Sequence, residues 1–128
     1  VLAAAVMTQA ASGATWHSMG EGGCSDASGA SLGFYTCQSG TSIAHLAACE
    51  ALCTNFNGCG GVTFGESWCQ LWVSTGHTLS PVPSLAVCGD GYGGGWDHTA
   101  GTGGSLPITA ANASAGVPGD CYANRGPG

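Results

Sequence analysis

Eight cysteines, Cys24, Cys37, Cys49, Cys53, Cys59, Cys69, Cys88 and Cys121, are the side chains of this chain best suited to chemistry. Two chemistries compete for them. An even number of cysteines in a small, charge-poor chain reads as a disulfide framework formed in an oxidising compartment. The alternative is zinc: Cys49 and Cys53 stand i, i+4 on a predicted helix, and His45 lies one turn earlier. That edge lacks a fourth ligand, and the C-x2-C pairs of structural zinc sites are missing. Four disulfides and no metal are therefore expected.

The remaining reactive patterns are weaker. Gly65-Glu66-Ser67-Trp68-Cys69 approaches a nucleophile elbow, but a cysteine stands where the closing glycine belongs, and the turn lies between predicted antiparallel strands. Asp97-His98 reads as a loop pair bonded to backbone. Asp90, Asp97 and Asp120 offer oxygens to a cation at spacings that match no calcium loop. The run GDGYGGGW has neither the lysine nor the following helix of a phosphate loop. No catalytic residue and no cofactor is assigned, and the chain is expected not to be an enzyme.

Composition explains why covalent links matter here. Gly, Ala, Ser and Thr fill 67 of the 128 positions, so few large side chains remain to build a core. A native bridge in a small secreted domain contributes about 2–5 kcal/mol, and four of them offset a thin interior. Arg125 is the single Lys or Arg, and the net charge is -6. Binding to nucleic-acid phosphates and polybasic docking on membranes are both excluded by that balance. The chain lacks an apolar run long enough to span a bilayer, so no membrane insertion is expected.

Three zones follow one another. Residues 1–15 are small, apolar and uncharged. Residues 16–88 carry seven cysteines and nearly all the periodic signal, and residues 89–128 are glycine-rich and end in RGPG. The opening VLAAAVMTQAA resembles the end of a signal-peptide core, yet no basic stretch precedes it, so it is expected in the mature structure. A helix is predicted from about Ile43 to Asn55, capped by Thr41 or Ser42, with Leu46, Cys49, Cys53 and Phe56 on one stripe and Asn57-Gly58 as the stop. A hairpin follows, with Val62-Thr63-Phe64 as one strand, Gly65-Glu66-Ser67 as the turn and Trp68 to Val73 as the second strand. If Cys69 faces the helix, the period of two sends Leu71 and Val73 inward with it. Trp68, Gln70 and Trp72 then share an outer face. Such a face needs a cover, either the chain's own glycine-rich tail, a glycan or a neighbouring molecule.

The stretch SIAHLAACEALCTNFNGCGGVTFGESWCQLWVS resembles the PAN/apple module, in which a helix bearing C-x3-C precedes a third cysteine, a hydrophobic strand and a fourth cysteine. A fainter likeness runs from Trp16 to Tyr122, through FYTC and the closing Cys-Tyr. The resemblance implies a small disulfide-rich α+β domain: one helix on a curved antiparallel sheet, an extended N-terminal segment and a loop-dominated, glycine-rich C-terminal part. Its span is 16–124, after a segment 1–15 and before a linker or tail at 125–128. It also implies Cys49–Cys69 and Cys53–Cys59 as a nested pair, with Cys24–Cys121 and Cys37–Cys88 favoured among the three pairings open to the other four. The basic residues through which family members bind heparin are absent, so none of that binding carries over.

Asn112-Ala113-Ser114 is an N-glycosylation sequon, and Thr78, Ser80 and Ser84 in HTLSPVPS are candidates for O-linked sugars. Together these features describe a non-enzymatic extracellular structural or adhesive glycoprotein module, a homo-oligomer or a filament or coat subunit. Its N-terminal segment, with Val1, Leu2, Val6 and Met7 as apolar contacts, is expected to assemble it by adding a strand to a neighbour's sheet. The alternative is a lectin-like carbohydrate-binding module whose exposed Trp68 and Trp72 stack on sugars beside Gln70.

Overall fold

The computed structural model describes residues 14–38, 46–65, 68–83, 88, 95–113 and 119–127, with the backbone alone at Ala14, Gln38, Trp68, Gly126 and Pro127. The elements run β1 (Ala14–Glu21), β2 (Gly23–Ser25), β3 (Gly33–Gln38), α1 (Leu46–Thr54), β4 (Gly61–Gly65), β5 (Trp68–Val73), β6 (Gly95–Thr99), β7 (Ala110–Asn112) and β8 (Asp120–Pro127). Six strands form one sheet in the order β1-β8-β4-β5-β3-β6, and β2 pairs with β7 in a second. Every pair is antiparallel. The chain is a small, disulfide-rich α+β domain.

The predicted hairpin is β4–β5, in register from Gly61↔Trp72 to Gly65↔Trp68, which leaves Glu66-Ser67 between the strands. Helix α1 ends at Thr54, and Gly58 takes the positive φ of 98° in the turn beyond it. The proposed start of the helix at Ile43, its caps and His45 lie outside the described residues. So do Val1, Leu2, Val6, Met7, Ser67, Ser84 and Asp90.

Alternation along β5 sorts its side chains as the sequence requires. Cys69, Leu71 and Val73 join Val62, Cys49, Cys53 and Leu52 in the core beneath α1. Trp72 points the other way, and here the expectation of an outer face fails: Gln70 is 3% and Trp72 4% exposed. The cover is the chain's own C-terminal part. Trp72 packs with Leu32, Ile108, Cys24, Cys121 and Ala123, with Leu106 and Phe34 alongside, in a second core on the far side of the sheet. The missing side chains of Gly60 and Gly61 make this approach possible, since a Cβ there would overlap Leu106 and Ile108.

Polar staples hold that cover in place. Thr75 N–H donates to Gly104 O (2.8 Å), Thr102 N–H to Ser31 O (2.9 Å) and Leu106 N–H to Ser74 Oγ (2.9 Å). The Asp26 carboxylate accepts from the Ser28 hydroxyl (2.7 Å), Ser28 N–H (2.9 Å) and Ser105 N–H (2.8 Å), tying two loops together. The Ser28 hydroxyl first, and then the Ser105 amide, hold the Asp26 carboxyl below its ordinary range. A lowered pKa means that the contribution is complete above that range and is lost as pH falls through it. Protection of the Ser105 amide from hydrogen exchange is therefore expected to drop in acid below about pH 4. Asp26→Ala should show the unprotected value throughout, with no acid step.

Four disulfides close the domain: Cys24–Cys121, Cys37–Cys88, Cys49–Cys69 and Cys53–Cys59. They link β2 to β8, β3 to the segment before β6, α1 to β5, and α1 to the turn that precedes β4. These are the pairs that the PAN/apple resemblance implies.

Candidate functional site

With every cysteine bonded to another, no thiolate remains for the zinc alternative. The calcium alternative fails on topology. Asp97 lies on β6 and Asp120 on β8, with β3, β5 and β4 between them. Four strand spacings are about 19 Å, far beyond a shared ion. No His, Cys, Asp and Glu cluster of metal-binding shape occurs among the described residues. No described helix is long and apolar enough to cross a membrane.

Asp97 and His98, expected in a loop, stand instead on the edge strand β6 with both side chains exposed. Antiparallel register places Asp97, Thr36, Gln70, Thr63 and Cys121 in one row across the sheet. This row grades from an exposed carboxylate at the rim into the second core. Gln70 Nε2 donates to Thr36 Oγ1 at 3.1 Å, while its Oε1 is buried with no partner. Thr63 Oγ1 accepts from the Trp72 indole at 2.9 Å and donates to Gly22 O at 3.3 Å. Trp72 thus spends its polar handle inside the molecule and presents no face to a sugar. The stacking pair required by the lectin alternative is lost with it, and the Trp68 side chain lies outside the described residues.

The opposite side of β6 is locked onto the main core. The His98 ring stacks on Tyr35, centroids 4.2 Å apart and 9° from parallel. The Trp96 indole donates to the Cys88 carbonyl at 3.0 Å and meets Phe56 edge-on at 6.4 Å. Five residues of β6 pair with β3 in unbroken register, Gly95↔Gln38 to Thr99↔Phe34. On its outer side no strand pairs with it among the described residues. Sequence reading missed this strand. The alternation of Trp96 and His98 was its signal, hidden behind the glycines that precede it.

The other rim is β1. Two register shifts break its pairing with β8, between Ala14 and Trp16 and between Ser18 and Gly20. Near that rim, burial pushes the Glu50 carboxyl up, and burial followed by the charges of Asp120 and Glu50 pushes the Tyr122 phenol up.

Of the predicted sugar sites, Thr78 and Ser80 have exposed side chains, and the Ser80 backbone pairs with Asn57 through bonds of 2.7 and 3.0 Å. Asn112 ends β7, half-buried opposite Gly23. Comparison with models of protein families, with curated proteins and with solved structures finds no match for this chain.

Proposed function

We propose that the chain is a PAN/apple-like extracellular module with a structural or adhesive role, non-enzymatic, that assembles into oligomers or filaments through its N-terminal segment. A helix packed across an antiparallel sheet and the four sulfur pairings support the likeness to that family. Four disulfides are compatible with an extracellular setting. Sugars at Asn112 and along the Thr78–Ser80 loop add solvated surface to a chain with one basic residue.

One observation carries the assembly reading. The strand that follows residues 1–13 in the sequence is a rim of the sheet, not an inner strand, and the residues before it are uncharged and apolar. Its backbone groups and its Val1, Leu2, Val6 and Met7 side chains gain most by joining another sheet. A head-to-tail contact of this kind does not close on itself and propagates.

Removing residues 1–13 is expected to reduce the particle mass measured by light scattering to that of one chain. An unchanged oligomer would sink the proposal.

A further inference from the structure

Resting on that assembly reading, we infer that the acceptor is the outer edge of β6, with which no described strand pairs, and that residues 1–7 of a second copy pair with Gly95–Thr99. The two rims of the sheet differ. β1 is broken by two register shifts, and such irregularity spoils an edge for pairing. β6 has no bulge, lysine or proline; its one charge is Asp97. Stacking of His98 on Tyr35 and the Trp96–Cys88 hydrogen bond hold it straight before any partner arrives.

The segment fits the edge by chemistry and by length. Val1-Leu2-Ala3-Ala4-Ala5-Val6-Met7 is uncharged, free of proline and longer than the five residues of β6. Its large side chains fall on both faces, Val1 and Met7 on one and Leu2 and Val6 on the other, with small alanines between them. Thr8-Gln9-Ala10-Ala11-Ser12-Gly13 then makes a polar tether of about 20 Å when extended. Pairing within one copy is obstructed. β1 and β6 are opposite rims, about 24 Å apart across five strand spacings. Core packing covers the sheet on both faces between them. A second copy offers its β6 without that crossing.

The test uses full-length chains. Val6→Pro disables the donor. Asp97→Pro and His98→Pro address the acceptor: adjacent residues of an antiparallel strand turn their N–H groups to opposite sides, so one of the two strikes the outer edge and the other the ladder to β3. The variant that keeps the wild-type melting profile is the probe. Sedimentation is expected to show wild-type particles that grow with concentration, Val6→Pro and the edge variant each as a single chain, and their equimolar mixture as a pair. If the edge variant assembles like wild type while Val6→Pro does not, the acceptor is elsewhere and the assembly reading survives. A Val6→Pro chain that assembles like wild type, or a wild-type chain that stays single at every concentration, removes both. Should both β6 variants misfold, a peptide of residues 1–13 is added to the Val6→Pro chain. Slower hydrogen exchange at Gly95–Thr99 supports the acceptor, and unchanged exchange there overturns it.

Discussion

Replacing Cys24 and Cys121 together by alanine is expected to remove about 4 kcal/mol of unfolding free energy, more than the loss of Cys53–Cys59. The bridge spans 97 positions, but Cys37–Cys88 short-circuits 51 of them, so the loop it closes is roughly half as long as the sequence suggests. Chain-entropy scaling for such a loop gives ~4 kcal/mol, against roughly 2 for the Cys53–Cys59 loop. That short link spans 6 positions and ties α1 to the turn beside it. A small domain holds only about 5–15 kcal/mol in total, so the double alanine variant should sit close to its unfolding threshold. Cys24 and Cys121 also belong to the second core, and their removal thins the contact between β2 and β8 beneath Trp72. Urea unfolding under non-reducing conditions compares the two variants. Equal losses would mean that loop length does not govern how these links stabilise the chain.

What could be read from the sequence was local. The apolar stripe of α1, the β4–β5 hairpin and the inward triplet Cys69, Leu71 and Val73 each express a period of 3.6 or 2 within a dozen residues. Such signals survive without knowledge of the rest of the chain. The burial of Gln70 and Trp72 depends on Leu106 and Ile108, which arrive from more than thirty positions away in a stretch with no period of its own. Period-two reasoning divides a strand between two faces and is silent on whether both are covered. Tail, glycan and neighbour are equally compatible with that alternation, and Leu106 and Ile108 decide it for the tail. The acceptor strand β6 stayed hidden for a related reason: its partner β3 lies about sixty positions earlier, and the glycines ahead of it dilute its alternation.

Trp72 gives the sharpest measure of that second core. If its indole faced solvent, Trp72→Ala would change stability by no more than about 0.5 kcal/mol. Buried at 4% exposure, tilted against Phe34 with centroids 4.7 Å apart, and packed on Leu32 and Ile108, it should cost about 3–5 kcal/mol. Trp72→Phe separates the ring from its hydrogen bond. It keeps an aromatic body in place but deletes the donor to Thr63 Oγ1, whose hydroxyl can still donate to Gly22 O. Because the threonine stays satisfied on one side, the expected loss is only about 1–2 kcal/mol, including the space left by the smaller ring. Ile108→Ala attacks the same core from the cover, and because both side chains belong to one buried cluster, the double variant with Trp72→Ala should lose less than the sum of the singles. Additive losses in urea unfolding would mean that the C-terminal cover and the sheet are stabilised separately. A Trp72→Ala loss of no more than about 0.5 kcal/mol would instead return Trp72 to an outer surface and reopen it to a ligand.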